Sequence, residues 1–94
     1  MAEESSFSIS KVAEYSDEEI QRRKDEFDAR ATRLNSLAAA YNDKVREATS
    51  ASLPIEQRLA NGNYWSNLRD VAQEMAGDAL KKASACRIEL DLRG

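Results

Sequence analysis

Side chains able to carry out acid–base, nucleophilic or metal chemistry are scarce in this sequence. The 94 residues contain no histidine and a single cysteine, Cys86. A Cys/His zinc site, a Ser-His-Asp triad and a disulfide framework therefore cannot form within one chain. Glu74 and Asp78 are one helical turn apart, but an isolated carboxylate pair on a surface rarely binds a metal. We expect no enzyme activity, metal or cofactor, and we expect Cys86 to be a buried structural residue.

One basic cluster occupies the first half of the chain. It consists of Arg22, Arg23, Lys24, Arg30 and Arg33. The acidic residues Asp25, Glu26 and Asp28 are interleaved with it, and the net charge of the chain is −3. This mixture of signs is typical of a solvated helix face rather than of a phosphate-binding surface. A small nucleic-acid-associated regulator that uses this cluster is the alternative function.

The N-terminal segment is acidic and polar, so it does not resemble a secretory signal peptide. No apolar run reaches the roughly 20 residues that cross a bilayer. A single unpaired cysteine suits a reducing compartment. These features predict a cytoplasmic protein that does not act in a membrane. Residues 1–6 are predicted to be disordered, and residues 7–94 to form a single domain.

A long amphipathic helix is predicted over residues 16–50. Ser16 and Glu19 form a capping-box pattern, and the extra acidic residues suit the positive end of the helix dipole. Apolar residues then recur every seven positions, at Ile20, Phe27, Leu34, Tyr41 and Ala48. Pro54 disfavours helical backbone at Leu53, which ends the helix near residue 50. A single rod of this length cannot bury its own apolar stripe.

Two further helices are predicted after the first one. Pro54 suits the first turn of a short helix over residues 54–60. Asn61 and Gly62 then indicate a turn. A second amphipathic helix is predicted over residues 64–86, because its apolar residues step by three and four positions.

The two ends of the predicted domain alternate apolar and polar residues. This alternation runs over residues 7–10 and again over residues 88–92. A period of two favours short β-strands, which could pair across the base of the hairpin. For residues 87–93 the alternative is that the second helix simply continues.

Together these elements predict a mainly α fold, a helical hairpin of two long amphipathic helices with a short connecting helix and short terminal β-strands. Two helices cannot enclose a core as four can. We therefore expect the hairpin to complete its core by oligomerisation or by binding a partner. The residues predicted to form that interface are Ile20, Phe27, Leu34, Ala38, Tyr41, Val45, Tyr64, Trp65, Leu68, Met75, Ile88, Leu90 and Leu92.

The predicted function is a non-enzymatic protein–protein interaction module, such as an adaptor, chaperone, inhibitor or assembly subunit. Its partner would be a second copy, giving a homodimer, or another protein in a hetero-complex. Nucleic acid is not the expected partner. Tyr64 and Trp65 are predicted to close one end of the hairpin as an apolar plug, and either ring could also be an anchor for the partner.

A helical chain of this length with a tryptophan beside its central connector resembles, in general shape, the WXG100 family of secreted helical hairpins. The Trp-x-Gly turn of that family is absent, because Trp65 is followed by Ser66 and Asn67, and Gly62 precedes it. The resemblance implies a further alternative, a secreted hairpin, and it implies no site residues.

Overall fold

The architecture is a hairpin of two long helices in a computed structural model that describes residues 7–94. Helix α1 spans Asp17–Ser50 and helix α2 spans Ile55–Arg93. A 3₁₀ helix over Ile9–Glu14 precedes α1. The hairpin is elongated, with principal dimensions of 58 × 25 × 18 Å. The prediction for residues 1–6 lies outside the described residues.

Helix α1 begins and ends where its local signals predict. Ser16 is the N-cap, and its Oγ accepts a hydrogen bond from the backbone N–H of Glu19 at 3.1 Å. Acidic side chains fill the first turn, at the positive end of the helix dipole. The helix ends at Ser50, and Ala51 already has extended backbone. Pro54 then becomes the N-cap of α2.

Helix α2 is continuous, so the separate short helix over residues 54–60 and the turn at Asn61 and Gly62 are wrong. The described glycines have no positive φ, and Gly62 is helical and buried. A Cβ at Gly62 would lie 3.3 Å from Cγ2 of Thr49 on α1. The missing side chain therefore lets the two helices approach closely near their connection.

The terminal strands are also wrong, since no residue in the described part of the chain forms a β-strand. Residues 88–92 belong to the last turns of α2, which is the alternative that the sequence left open. Phe7 and Ser8 precede the 3₁₀ helix instead, and Ile9 and Ser10 are its first two residues. Extending an existing helix costs little once it is nucleated, whereas an isolated two-stranded sheet is marginal. The alternation of apolar and polar residues could not overcome that difference in free energy.

The open end of the hairpin, where the chain ends meet, holds the bulkiest part of the core. The buried cluster there consists of Phe7, Ile20, Phe27, Ala83 and Cys86. The ring of Phe7 stacks on Tyr15 at 5.4 Å and meets Phe27 edge-on at 5.0 Å, both between ring centroids. The segment before α1 thus covers the open end of the helix pair.

Between this cluster and the connection, the contact between the helices is made largely by alanine. The buried alanines of this seam are Ala31, Ala38, Ala72, Ala76 and Ala79. Small side chains allow a short distance between helix axes. Larger apolar residues beside the seam consequently remain at its edges. Over residues 7–94, neither helix has an apolar stretch long enough to cross a bilayer.

The glycine at position 77 gives a prediction for stability. Apart from the neighbouring residues and backbone of its own helix, no atom of residues 7–94 lies within 4 Å of the place where a Cβ of Gly77 would stand. Replacing Gly77 with alanine should raise the free energy of unfolding by about 0.5 to 1 kcal/mol, because alanine has less backbone entropy to lose. Urea denaturation measures the change. Gly62→Ala is the matched control, and an equal gain there would contradict the close contact with Thr49.

Candidate functional site

An apolar groove of about 260 Å³ runs along one face of the hairpin, halfway between the connection and the open end. It is lined by Leu34, Leu37, Tyr41, Leu68, Val71, Ala72 and Met75. Both long helices contribute to it, so the groove exists only because α1 and α2 pack against each other. It is the strongest candidate for a functional surface in the described part of the chain.

The groove follows from the alanine seam beneath it. Ala38 and Ala72 are buried in the contact between the helices. The larger side chains beside them have nothing packed above them, and Leu37, Val71 and Met75 are 43%, 52% and 41% exposed. Single exposed apolar residues are ordinary on a protein surface, and a contiguous group of them is a candidate binding surface.

Aromatic rings extend this surface toward the connection. The ring of Trp65 lies 5.8 Å from that of Tyr41 and 5.0 Å from that of Tyr64, both between ring centroids. Tyr64 is exposed and Trp65 is half-buried. The helices connect at residues 51–54, well before Trp65, so the prediction that this pair plugs the end of the hairpin is wrong. The same position removes the feature behind the WXG100 resemblance, a tryptophan beside the connector.

The residues predicted to form an interface fall into different environments. Three are buried inside the hairpin and hold it together: Ile20, Phe27 and Ala38. Four line the groove: Leu34, Tyr41, Leu68 and Met75. Of the others, Val45 and Leu90 are half-buried, and Ile88 and Leu92 are exposed near the end of α2.

Two central residues of the groove, Leu37 and Val71, were missed as interface residues. Each follows a predicted interface residue by three positions, Leu34 in α1 and Leu68 in α2. On a helix that spacing places both members of a pair on one face. The signal that could have identified Leu37 and Val71 was therefore an apolar residue on the helix face next to the main apolar stripe. The sequence could not show which side of the stripe the other helix leaves open.

The α1 edge of the groove is basic. Arg30 and Arg33 precede Leu37 by seven and four residues, so they share its face of the helix. Both are exposed, and within residues 7–94 neither arginine has an ion-pair partner. Their charge is therefore available to an acidic group that approaches the groove.

The α2 edge of the groove carries charges of both signs. Glu74 and Asp78 follow Val71 by three and seven residues, and both are exposed. Asp78 forms an ion pair with Lys82 at 3.1 Å, whereas Glu74 has no ion-pair partner within the part of the chain that the structure describes. Among those same residues, no group of three side chains comes together that could hold a metal ion. Because Lys82 lies on the same edge as Asp78, this edge mixes both signs and is not a uniformly acidic counterpart of the α1 edge.

The remaining members of the basic cluster are compensated by acids of the same helix. Arg22 and Arg23 both contact the carboxylate of Glu19, at 2.6 and 2.7 Å. These hydrogen bonds hold the pKa of Glu19 below its ordinary value. Lys24 pairs with Asp28 at 3.2 Å. Such pairing leaves Arg30 and Arg33 as the members of this cluster that are uncompensated within residues 7–94, which is little positive charge for a phosphate backbone.

Cys86 gives a prediction for thiol reactivity. It is fully buried in the cluster at the open end, and this burial raises the pKa of its thiol. Reaction with a chromogenic disulfide reagent at pH 8 should be about 100-fold slower than in the urea-unfolded chain, because the thiol must first be exposed by local opening. Modification at the unfolded rate would contradict this packing.

The raised pKa of Cys86 also fixes the sign of a pH effect on stability. The folded chain holds the thiol proton more tightly than the unfolded chain does. The free energy of unfolding is therefore unaffected by this thiol at neutral pH and falls as the pH rises from the usual thiol pKa of about 8.5 toward the raised pKa of the folded chain. The free energy of unfolding, measured by urea denaturation at a series of pH values, should change with pH in parallel for the wild type and Cys86→Ala below that pH. Above it, the free energy of the wild type should fall more steeply than that of Cys86→Ala.

Comparisons of this chain with protein-family models, with curated proteins and with solved structures find no match. The groove and its charged edges are therefore the observations from which a function can be argued.

Proposed function

We propose that this chain is a non-enzymatic protein–protein interaction module and that its binding surface is the apolar groove between α1 and α2. The observation that carries the proposal is the group formed by Leu37, Val71 and Met75, which are partly exposed side by side above a seam of alanines. Removing such surface from water contributes roughly 25 cal/mol per Å². A protein that covers the groove would gain this free energy.

The shape of the groove favours an α-helical occupant. Two helices bound it, and a third helix laid between them would place its apolar residues against both. An amphipathic helix whose anchors are spaced by three and four residues has this property. We therefore propose a role as an adaptor or assembly subunit that presents a helical surface to helical partners.

The nucleic-acid alternative has less support. Arg22, Arg23 and Lys24 already pair with carboxylates of their own helix.

The proposed module would work in the cytoplasm, since its one cysteine has no partner for a disulfide within the chain.

Photo-crosslinking tests the proposal. A benzophenone side chain introduced in place of Val71 should form a covalent adduct with a protein when the full chain is irradiated in its native cells. The matched control carries the same group in place of Gln73, which is exposed two residues away and does not line the groove. A Leu37→Glu change should abolish the adduct formed from position 71.

Equal adducts from positions 71 and 73, or an adduct that survives Leu37→Glu, would contradict a binding role for the groove. The mass of the adduct separates the two kinds of partner. An adduct of two chain masses indicates a second copy, and any other mass indicates a different protein.

A further inference from the structure

We infer that residues 7–15, which we call the N-terminal clasp, fill one end of the apolar groove from within the chain and limit the length of groove open to a partner. The clasp detaches while the hairpin of α1 and α2 stays folded. The inference rests on the proposed function and adds its regulation by an autoinhibitory contact. The observation behind it is the position of Phe7, whose ring lies against Phe27 on the groove face at the open end.

The groove face continues beyond the groove itself, toward the open end of the hairpin. Leu34 and Met75 line the groove from opposite helices. Seven residues nearer the open end, Phe27 and Lys82 lie on the same faces of α1 and α2. Nζ of Lys82 is 5.8 Å from the ring centroid of Phe27, so these two residues also meet across the helices. The surface around them is therefore the next section of the same groove, about 10 Å farther along the helices.

The ring of Phe7 fills this next section. It meets the ring of Phe27 edge-on, at 5.0 Å between centroids. The guanidinium of Arg23 lies 5.6 Å from the centroid of the Phe7 ring. Arg23 precedes the groove residue Leu37 by two heptads, so both lie on one face of α1. Phe7 thus occupies the place that a helix bound in the groove would reach if it extended to the open end.

The clasp is attached to the hairpin mainly through this one ring. Phe7 is buried, whereas the 3₁₀ helix Ile9–Glu14 contains no buried residue. Val12 and Tyr15 are half-buried against the cluster at the open end. Segments with few buried side chains open at a lower free energy than the core does. The alanine seam contains no residue of the clasp, so the two helices stay packed when the clasp detaches.

A second attachment is made by the last residue of α2. Nη2 of Arg93 donates to the carbonyl oxygen of Ala13 in the clasp at 3.0 Å, and its Nη1 donates to Oδ1 of Asp17 at 2.6 Å. Both hydrogen bonds are exposed to solvent. Exposed ion pairs contribute little to stability, and the ends of helices fray. This attachment is therefore also weak.

Distances between two spin labels measure the detached fraction of the clasp. The labels are attached through Ser10→Cys in the clasp and Gln73→Cys on α2, both at exposed sites, in a Cys86→Ala background. The attached clasp gives one narrow distance, and the detached clasp adds a broad, longer component. Phe7→Ala should raise the detached fraction about 10-fold, and Arg93→Ala should raise it in the same direction. The helix content measured by circular dichroism should stay unchanged.

Lys11→Ala and Arg87→Ala are the matched controls, because each truncates a long side chain at an exposed site, one in the clasp and one on α2. Neither should change the detached fraction by more than about twofold. A single narrow distance in both Phe7→Ala and Arg93→Ala would overturn the inference. A loss of helix that accompanies the longer distances would also overturn it, because the clasp would then detach only when the hairpin unfolds.

The benzophenone side chain in place of Val71 tests the link to binding. Phe7→Ala should increase its adduct several-fold, because the partner helix no longer has to displace the clasp, and Lys11→Ala should not. An adduct that depends on Leu37 but does not change with Phe7→Ala would leave the proposed function in place and overturn the regulation. An adduct that does not depend on Leu37 would overturn both.

Discussion

Replacing Val71 with aspartate is expected to raise the dissociation constant of the complex that forms at the groove by roughly 100-fold or more. Val71 lies in the middle of the groove, where it is half-exposed in the single chain. Under a bound partner the carboxylate of the introduced aspartate would be buried among apolar side chains, and its short side chain cannot reach out to water. An unpaired charge at such a place costs about 3 kcal/mol or more. Sedimentation equilibrium gives the dissociation constant directly.

Gln73→Asp is the matched control for this prediction. It places the same charge two residues away on the same helix, at an exposed position outside the groove. Its dissociation constant should stay within about twofold of the wild type. Equal effects of the two variants would show that net charge, and not the groove, governs association.

Replacing Ile20 with alanine should lower the free energy of unfolding by about 3 kcal/mol. Ile20 has 0% exposure and belongs to the buried cluster with Phe7, Phe27 and Cys86. Its truncation leaves a cavity that helical backbone on both sides cannot easily close. Since small domains are stable by only about 5 to 15 kcal/mol, this single change removes a large share of the total.

Ile88→Ala is the control, because it makes the same truncation at a site that is 56% exposed on α2. It should cost less than about 1 kcal/mol in urea denaturation at the same protein concentration. Similar losses for both variants would contradict the placement of Ile20 in the core at the open end.

Helix α1 could be predicted closely from the sequence because its signals are local. The Ser16 cap needs only the next turn of the chain, and the Leu53-Pro54 step restricts its own backbone. The recurrence of apolar residues at every seventh position then required one face of this helix to be buried. Its burial against α2 gives the hairpin predicted from the sequence.

Helix α2 was predicted less well, because contacts with α1 determine its structure more strongly than the local sequence signals do. Gly62 resembles a C-cap residue, yet it lies against Thr49 in the middle of a continuous helix. Residues 88–92 alternate like a strand, yet Leu90 packs on the cluster at the open end as part of α2. Contacts between the two helices, which the sequence pattern does not contain, decided both cases.

The groove could be predicted in part. Leu34, Tyr41, Leu68 and Met75 belong to the apolar stripes and lie together in it. The stripes did not distinguish them from Phe27, which the hairpin buries in its own core. That distinction depends on how the two helices are rotated about their axes, and small alanines at their contact set this rotation.

The central claim is that the apolar groove is a binding surface for another protein chain. Its most direct test compares the photo-crosslinked adduct formed from a benzophenone side chain in place of Val71 with that formed from the same group in place of Gln73. The account predicts an adduct from position 71 that Leu37→Glu abolishes, and little or none from position 73. Equal adducts from the two positions would contradict the claim.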